Sequence, residues 1–130
     1  MQLNVTTDYA IRIVLYLAIK KKVVSSNEIA RVMGIPPTYI MKITGKLKTA
    51  KILSEKRGAE GGFFLIRTPD QLTLLDIVGA LEKTVNINRC LEEDEYCSRN
   101  AVSFCSVRKL LVQLQAELAA GLDVKISELI

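Results

Sequence analysis

The stretch "SSNEIARVMGIPPTYIMKITGKLKTAKILSEKRGAEGGFFLIR", residues 25–67, reads as two short helices, a tight turn between them, and a hairpin. Ser25 or Ser26 caps the first helix, Ile29, Ala30 and Met33 form its apolar face, and Gly34 ends it. The turn Ile35-Pro36-Pro37 cannot be helical before Pro37, because each proline pushes the residue ahead of it out of the helical region. A second helix then spans about 37–50, with Ile40, Ile43 and Leu47 facing inward at helical spacing. Two short helices around a tight turn make a helix-turn-helix. Residues 52–56 and 63–67 read as strands, and the glycine-rich 57–62 between them reads as a tip. A hairpin placed there is a wing.

The flanks extend the same plan. Residues 7–19 form a helix with Ile11, Val14, Leu15, Ala18 and Ile19 on its apolar face. Thr6 or Thr7 can cap it, Asp8 lies in its first turn, and Lys20, Lys21 and Lys22 suit its negative end. Thr73 caps an amphipathic helix carrying Leu74, Ile77, Val78 and Leu81. A long helix is expected from about Val102 to Gly121, and "DVKISELI" reads as a short tail. Its residues Phe104, Val107, Leu111, Leu114 and Leu118 recur at alternating three and four, a stripe of coiled-coil type that Leu110 widens. Val107, Leu111, Leu114 and Leu118 are therefore expected to form a homodimer interface, the alternative being an intramolecular helix packed on the first one. The fold class is mainly α with a small β-wing: a winged helix-turn-helix at 1–83, a cysteine loop at 84–106, and a dimerisation helix and tail within 102–130.

The 130 residues are about one domain, enough to bury a core without staples. No run approaches the ~18 apolar residues of a membrane span. The start "MQLNVTTDYAIR" does not resemble a signal peptide. The expectation is a cytoplasmic protein with reduced thiols and no membrane partner. Residues 1–67 carry 12 Lys and Arg against 4 Asp and Glu, or +8, whereas residues 68–130 carry 6 against 10, or −4. The basic half suits a polyanion.

Double-stranded DNA fits this half. A helix-turn-helix lays its second helix in the major groove, which brings Thr38, Tyr39 and Lys42 toward base edges and Lys46 and Lys48 toward phosphates. Met41 offers an apolar contact for a thymine methyl. On the wing, Lys56 and Arg57 flank the glycines, and an arginine at a narrow tip can enter the minor groove.

All 3 cysteines, Cys90, Cys97 and Cys105, lie within one short segment, and there is no histidine. A thiol cluster in a reducing compartment points to metal or redox chemistry rather than bridging. Zinc sites usually contain a closely spaced cysteine pair, which is missing here. Three thiolates leave one corner of an iron–sulfur cluster open, and an oxygen ligand is one way to fill it. Glu92, Glu93, Asp94 and Glu95 are ligand candidates by proximity, or else a solvated acidic loop. A cluster-free thiol switch is the alternative, although the acidic run should raise the cysteine pKa values. With no histidine base and no nucleotide-binding loop, neither an enzyme nor a small-molecule substrate is expected.

The wing Arg57-Gly58-Ala59-Glu60-Gly61-Gly62-Phe63-Phe64-Leu65, the helix-turn-helix and the three downstream cysteines together resemble the Rrf2 family of bacterial transcription regulators. The resemblance runs from "TTDYAIRIVLYLA" to the final helix. It implies a homodimeric repressor or activator whose DNA affinity depends on an iron–sulfur cluster; other members lack a cluster and control cysteine metabolism. Retention of Cys90, Cys97 and Cys105 favours the cluster-bearing branch. The family's cluster-assembly regulators have a histidine ligand where this chain has Arg108. Its nitric-oxide sensors take an aspartate from the other subunit, and the matching residue is Asp8. A site-discriminating glutamate of the recognition helix is matched by Met41, and Pro36 and Pro37 also depart from the family pattern. The resemblance supports Thr38, Tyr39 and Arg57 as DNA contacts and leaves open whether the cluster is [2Fe-2S] or [4Fe-4S].

Overall fold

The computed structural model describes residues 1–130. Its elements are α1 (Val5–Lys20), α2 (Ser26–Met33), α3 (Pro37–Thr49), β1 (Leu53–Lys56), β2 (Gly62–Leu65), α4 (Leu74–Leu81) and α5 (Ser106–Leu122), with 3-10 turns at Arg89–Leu91 and Ile126–Glu128. The strands pair antiparallel, Leu53 opposite Leu65 and Lys56 opposite Gly62. This is the expected mainly helical winged architecture.

The core lies where α1, α2, α3, α4 and the base of the wing meet. Ile13, Val14 and Leu17 of α1 pack there with Ile29, Ile40, Ile43, Leu47, Leu53, Phe63 and Ile77, all buried. Burying each such side chain fully contributes about 1.5–3 kcal/mol. Thr44 is buried among them because its hydroxyl donates to the Ile40 carbonyl at 2.7 Å, leaving no orphan polar atom.

Caps fix most helix starts. Ser25 accepts from the Glu28 N–H, and Thr73 and Asp76 form a reciprocal capping box. α1 begins earlier than the threonines suggest: Asn4 is its cap, accepting from the Thr6 N–H. Thr7 is buried instead, and its hydroxyl donates to Glu82 at 2.7 Å. Gly62 is required by proximity, since any Cβ there would stand 2.1 Å from the Val24 carbonyl oxygen. That approach lets Val24 and Phe63 exchange hydrogen bonds at 2.9 and 2.8 Å, tying the wing to the segment before α2.

Two further boundaries differ from expectation. α5 starts at Ser106 rather than near Val102, because Cys105 acts as its cap, its sulfur accepting from the Arg108 N–H. Phe104 therefore precedes the helix. The C-terminal tail is not loose. Leu74 N–H donates to Val124, Ile126 N–H to Leu72 and Ser127 N–H to Pro69, and the Ile126 side chain is fully buried.

Candidate functional site

The exposed face of α3 is the complement of its buried one. With Ile40, Ile43, Thr44 and Leu47 turned inward, Thr38, Met41, Lys42, Lys46 and Lys48 are open to solvent. Met41 is 64% exposed and borders a shallow groove of about 310 Å³ shared with Lys56, Arg57 and Gly58 of the wing. Ser25 and Ser26 close the same groove, a contribution the sequence offered only as helix capping. Recognition helix and wing thus present one continuous basic surface.

Two predicted contacts have additional roles. Lys48 forms a 2.5 Å ion pair with Glu55 of β1, bracing the wing against α3 and holding the Glu55 carboxyl below its usual pKa. Tyr39 is half-buried, with its ring edge-to-face against Tyr9 at 5.4 Å. Arg12 also lies over Tyr9, its guanidinium 5.3 Å from the ring centre. α3 alone starts without a side-chain cap and with no acidic residue in its first turn, so its positive end is not neutralised.

The three cysteines gather elsewhere. Cys90, Cys97 and Cys105 border one depression of about 420 Å³, bounded by Tyr96, Arg99 and Leu111. Each sulfur faces N–H groups. Asn88 Nδ2 donates to Cys90 at 3.3 Å, and the Arg108 N–H donates to Cys105 at 3.4 Å. Backbone N–H groups of Ala101 and Arg99 hold the Cys97 thiol below its ordinary pKa, a shift opposite to the one expected from the acidic run. Three of the four acidic side chains of the run are committed to other cations and donors. Asp94 is paired bidentately with Arg89, which draws its pKa to about 2. Glu92 takes Thr84 and Asn86, and Glu95 takes Arg108. No three Cys, Asp or Glu side chains converge tightly enough to hold a single metal ion.

Arg108 is the residue whose role the sequence did not reveal. Besides giving its backbone N–H to the Cys105 cap, it reaches the Cys90 carbonyl through Nε at 3.4 Å and Glu95 at 3.2 Å, clamping the loop to the helix. Gln115 adds a second clamp, accepting from the Ile87 N–H at 2.7 Å and donating to the Val85 carbonyl at 2.9 Å. Asp8 does not border the cysteine depression of its own chain; it pairs with Arg12 at 2.7 Å. Arg12 in turn donates to the Met33 carbonyl at 3.1 Å, at the end of α2.

α5 has no buried residue. Of the expected interface, Val107 (61% exposed), Leu114 (41%) and Leu118 (41%) point outward with Leu110. Leu111 is half-buried and borders the chain's own cysteine depression, which the largely exposed Val107 also edges. A single stripe drawn along the sequence merges these two faces.

A winged helix-turn-helix with an open, basic recognition surface defines a DNA-binding transcription regulator. The model of the Rrf2 family, described as an iron-dependent transcriptional regulator, matches residues 3–130. The chain belongs to the Rrf2 family. It is 29% identical over 114 residues to a putative HTH-type transcriptional regulator of Aquifex aeolicus, spanning 87% of this chain and 79% of that one. It is also 29% identical over 114 residues to the HTH-type transcriptional regulator NsrR of Halalkalibacterium halodurans, 85% of this chain and 77% of that one. Among solved structures, CymR, the global cysteine regulator of B. subtilis, superposes with a TM-score of 0.80 at 24% identity, covering 99% and 95% of the two chains. IscR of T. potens gives 0.79 at 20% identity, covering 99% and 85%. These relatives are regulators and not enzymes, and no helix of the chain is long and apolar enough to cross a membrane.

Proposed function

We propose that this regulator is a homodimer whose DNA affinity is switched by an iron–sulfur cluster held by Cys90, Cys97 and Cys105, with Asp8 of the partner subunit as fourth ligand. The observation that carries the reading is the gathering of all three sulfurs around one depression, each facing N–H donors. Such donors favour thiolates, the form that ligates iron. The thiolates of a cluster are spread over two or more irons, so the three need not converge on one point. Three thiolates and one carboxylate suit a two-iron or a four-iron cluster alike. When bound, the cluster supplies an oxidant-sensitive tie between the loop and whatever furnishes its fourth ligand.

The chain's own residues give that tie a route to DNA. Asp8 holds Arg12, and Arg12 holds the Met33 carbonyl at the entrance to the helix-turn-helix turn. Arg12 also lies on Tyr9, whose ring abuts Tyr39 in the first turn of α3. An Asp8 drawn to a partner's site would release one anchor of Arg12 and so bear on the recognition helix. α5 supports the dimer: its outward stripe of Val107, Leu110, Leu114 and Leu118 lies unburied along a 17-residue helix. On DNA, Thr38, Met41 and Lys42 would read the major groove with Lys46 on phosphate and the uncapped start of α3 beside another phosphate. Lys56 and Arg57 would follow the adjoining groove.

Anaerobic purification followed by visible absorption, iron and sulfide analysis tests the reading, with wild type beside Asp8→Ala. The expected outcome is bound iron and sulfide, lost or spectrally altered in the variant. A colourless, iron-free protein overturns it. The lowered pKa of Cys97 favours one second reading, a cluster-free disulfide switch. That reading expects an oxidant-induced loss of two free thiols that changes DNA affinity without iron.

A further inference from the structure

The back of the wing carries features that DNA recognition does not use. β2 and its continuation read Phe63-Phe64-Leu65-Ile66, apolar on both faces of the strand. Phe63 is buried in the core, but Ile66 is 53% exposed and Phe64 half-buried on the other face. A strand apolar on both faces normally has both faces covered.

Its free edge is also unpaired. The Ile66 N–H bonds the Ile52 carbonyl on the β1 side, so Leu65 and Arg67 direct their backbone groups the other way. On that side Val24 pairs with Phe63, but the chain then peels away at Lys22, and the bridge is isolated. The Leu65 and Arg67 N–H groups thus open into a cleft of about 430 Å³ between β2 and the end of α1. Leu17, Ala18 and Val23 floor the cleft, and Lys21 and Lys22 rim it with Arg67, whose guanidinium is held by Asp76 at 3.0 Å; no carboxylate lines the cleft itself.

We propose that this cleft docks an extended segment of a partner protein in which carboxylates alternate with apolar side chains. The segment would add a strand to the β2 edge, its main chain bonding Leu65 and Arg67. Its apolar residues would lie beside Phe64 and Ile66 on the exposed face of the strand, and its carboxylates would meet Lys21 and Lys22. The sheet stops at one isolated bridge because the chain turns out of α1 at Lys21, whose φ is 55°; this leaves the edge open to strand addition, and Lys21 and Lys22, which form no ion pair, select the sign of the partner. The surface lies behind the wing, so a DNA-bound regulator could use it to recruit that partner.

The test is fluorescence anisotropy on the full chain with a labelled octapeptide of alternating glutamate and valine. Three comparisons accompany it: the same peptide N-methylated at alternate amides, its lysine–valine counterpart, and dodecanoate as competitor. The expected result is saturable binding of the acidic peptide, weakened at least ~10-fold by N-methylation or by Lys21→Glu/Lys22→Glu. Both lysines are exposed, and an unchanged thermal melt excludes unfolding of the variant. Equal binding of the N-methylated or the lysine peptide overturns the proposal, as does no saturable peptide binding. Saturable dodecanoate binding without peptide binding also overturns it and makes the cleft a small-ligand site.

Discussion

The two halves of the chain are stabilised differently. Residues 1–81 hold nearly all the buried side chains, whereas between residues 82 and 125 only Ala101 is buried. The second half is held by polar clamps instead: Arg108 on Cys90 and Glu95, Gln115 on residues 85 and 87, and Arg89 on Asp94. The ion pairs among them are exposed and screened by solvent, so each is individually weak. A rigid platform therefore presents the DNA surface, and a loosely held loop and helix leave their sulfurs and apolar stripe open to other partners.

Truncating the core should break this contrast most severely. Ile43→Ala removes a fully buried side chain of α3 and is expected to cost about 2–5 kcal/mol in a urea melt. In α5, Leu114→Asp should leave the helical circular dichroism nearly intact and instead halve the mass in sedimentation. A Leu114→Asp protein that still sediments as a dimer would remove α5 from the interface. Gly62→Ala comes next. Its new Cβ meets the Val24 carbonyl, so the wing must shift at a cost of about 1–3 kcal/mol. DNA affinity should fall while the helices persist, and an unchanged affinity would mean that wing placement is unimportant.

The same contrast governs what the sequence could reveal. The helix-turn-helix was legible because its signals are local: Gly34, the two prolines, and apolar residues at helical spacing from Ile40 to Leu47. The C-terminal tail was not, because burial of Ile126 depends on backbone bonds to residues about fifty positions earlier. The start of α5 was misplaced because a cysteine cap is not a preferred signal, and residues 101–104 are as apolar as a helix. Leu111 was grouped with Leu114 because spacing along one helix cannot tell which of two adjoining faces meets its own chain. The three cysteines were found by composition alone, but their N–H donors belong to turns that no periodicity marks. Arg12 was within reach, four residues from Asp8 on one helix, whereas its hold on Met33 is tertiary.

Smaller effects belong to the DNA surface. Lys46→Ala should weaken binding evenly across sequences and lower the slope of log affinity against log salt by about 1. Met41→Ala should instead relax preference at a single base position by about 1 kcal/mol or less, with the salt slope unchanged. If both variants behave like Lys46→Ala, Met41 carries no sequence information.

The smallest effect distinguishes the polar clamps from the core by acid. The Arg89 pair lowers the Asp94 pKa from 3.8 to about 2, so the folded loop prefers the ionised carboxylate. The sign follows from linkage: a depressed carboxyl contributes stability that is full above pH 3.8 and is lost as pH falls through about 2. Arg89 also lies 5.2 Å from the Tyr96 ring, which makes Tyr96 a reporter of the clamp. Its ring resonances are expected to shift over that acid range in wild type, and the shift should vanish in Asp94→Asn. Ring resonances of Phe63, buried in the core half, serve as the control for general unfolding. If Tyr96 and Phe63 change together, the loop does not open independently of the platform.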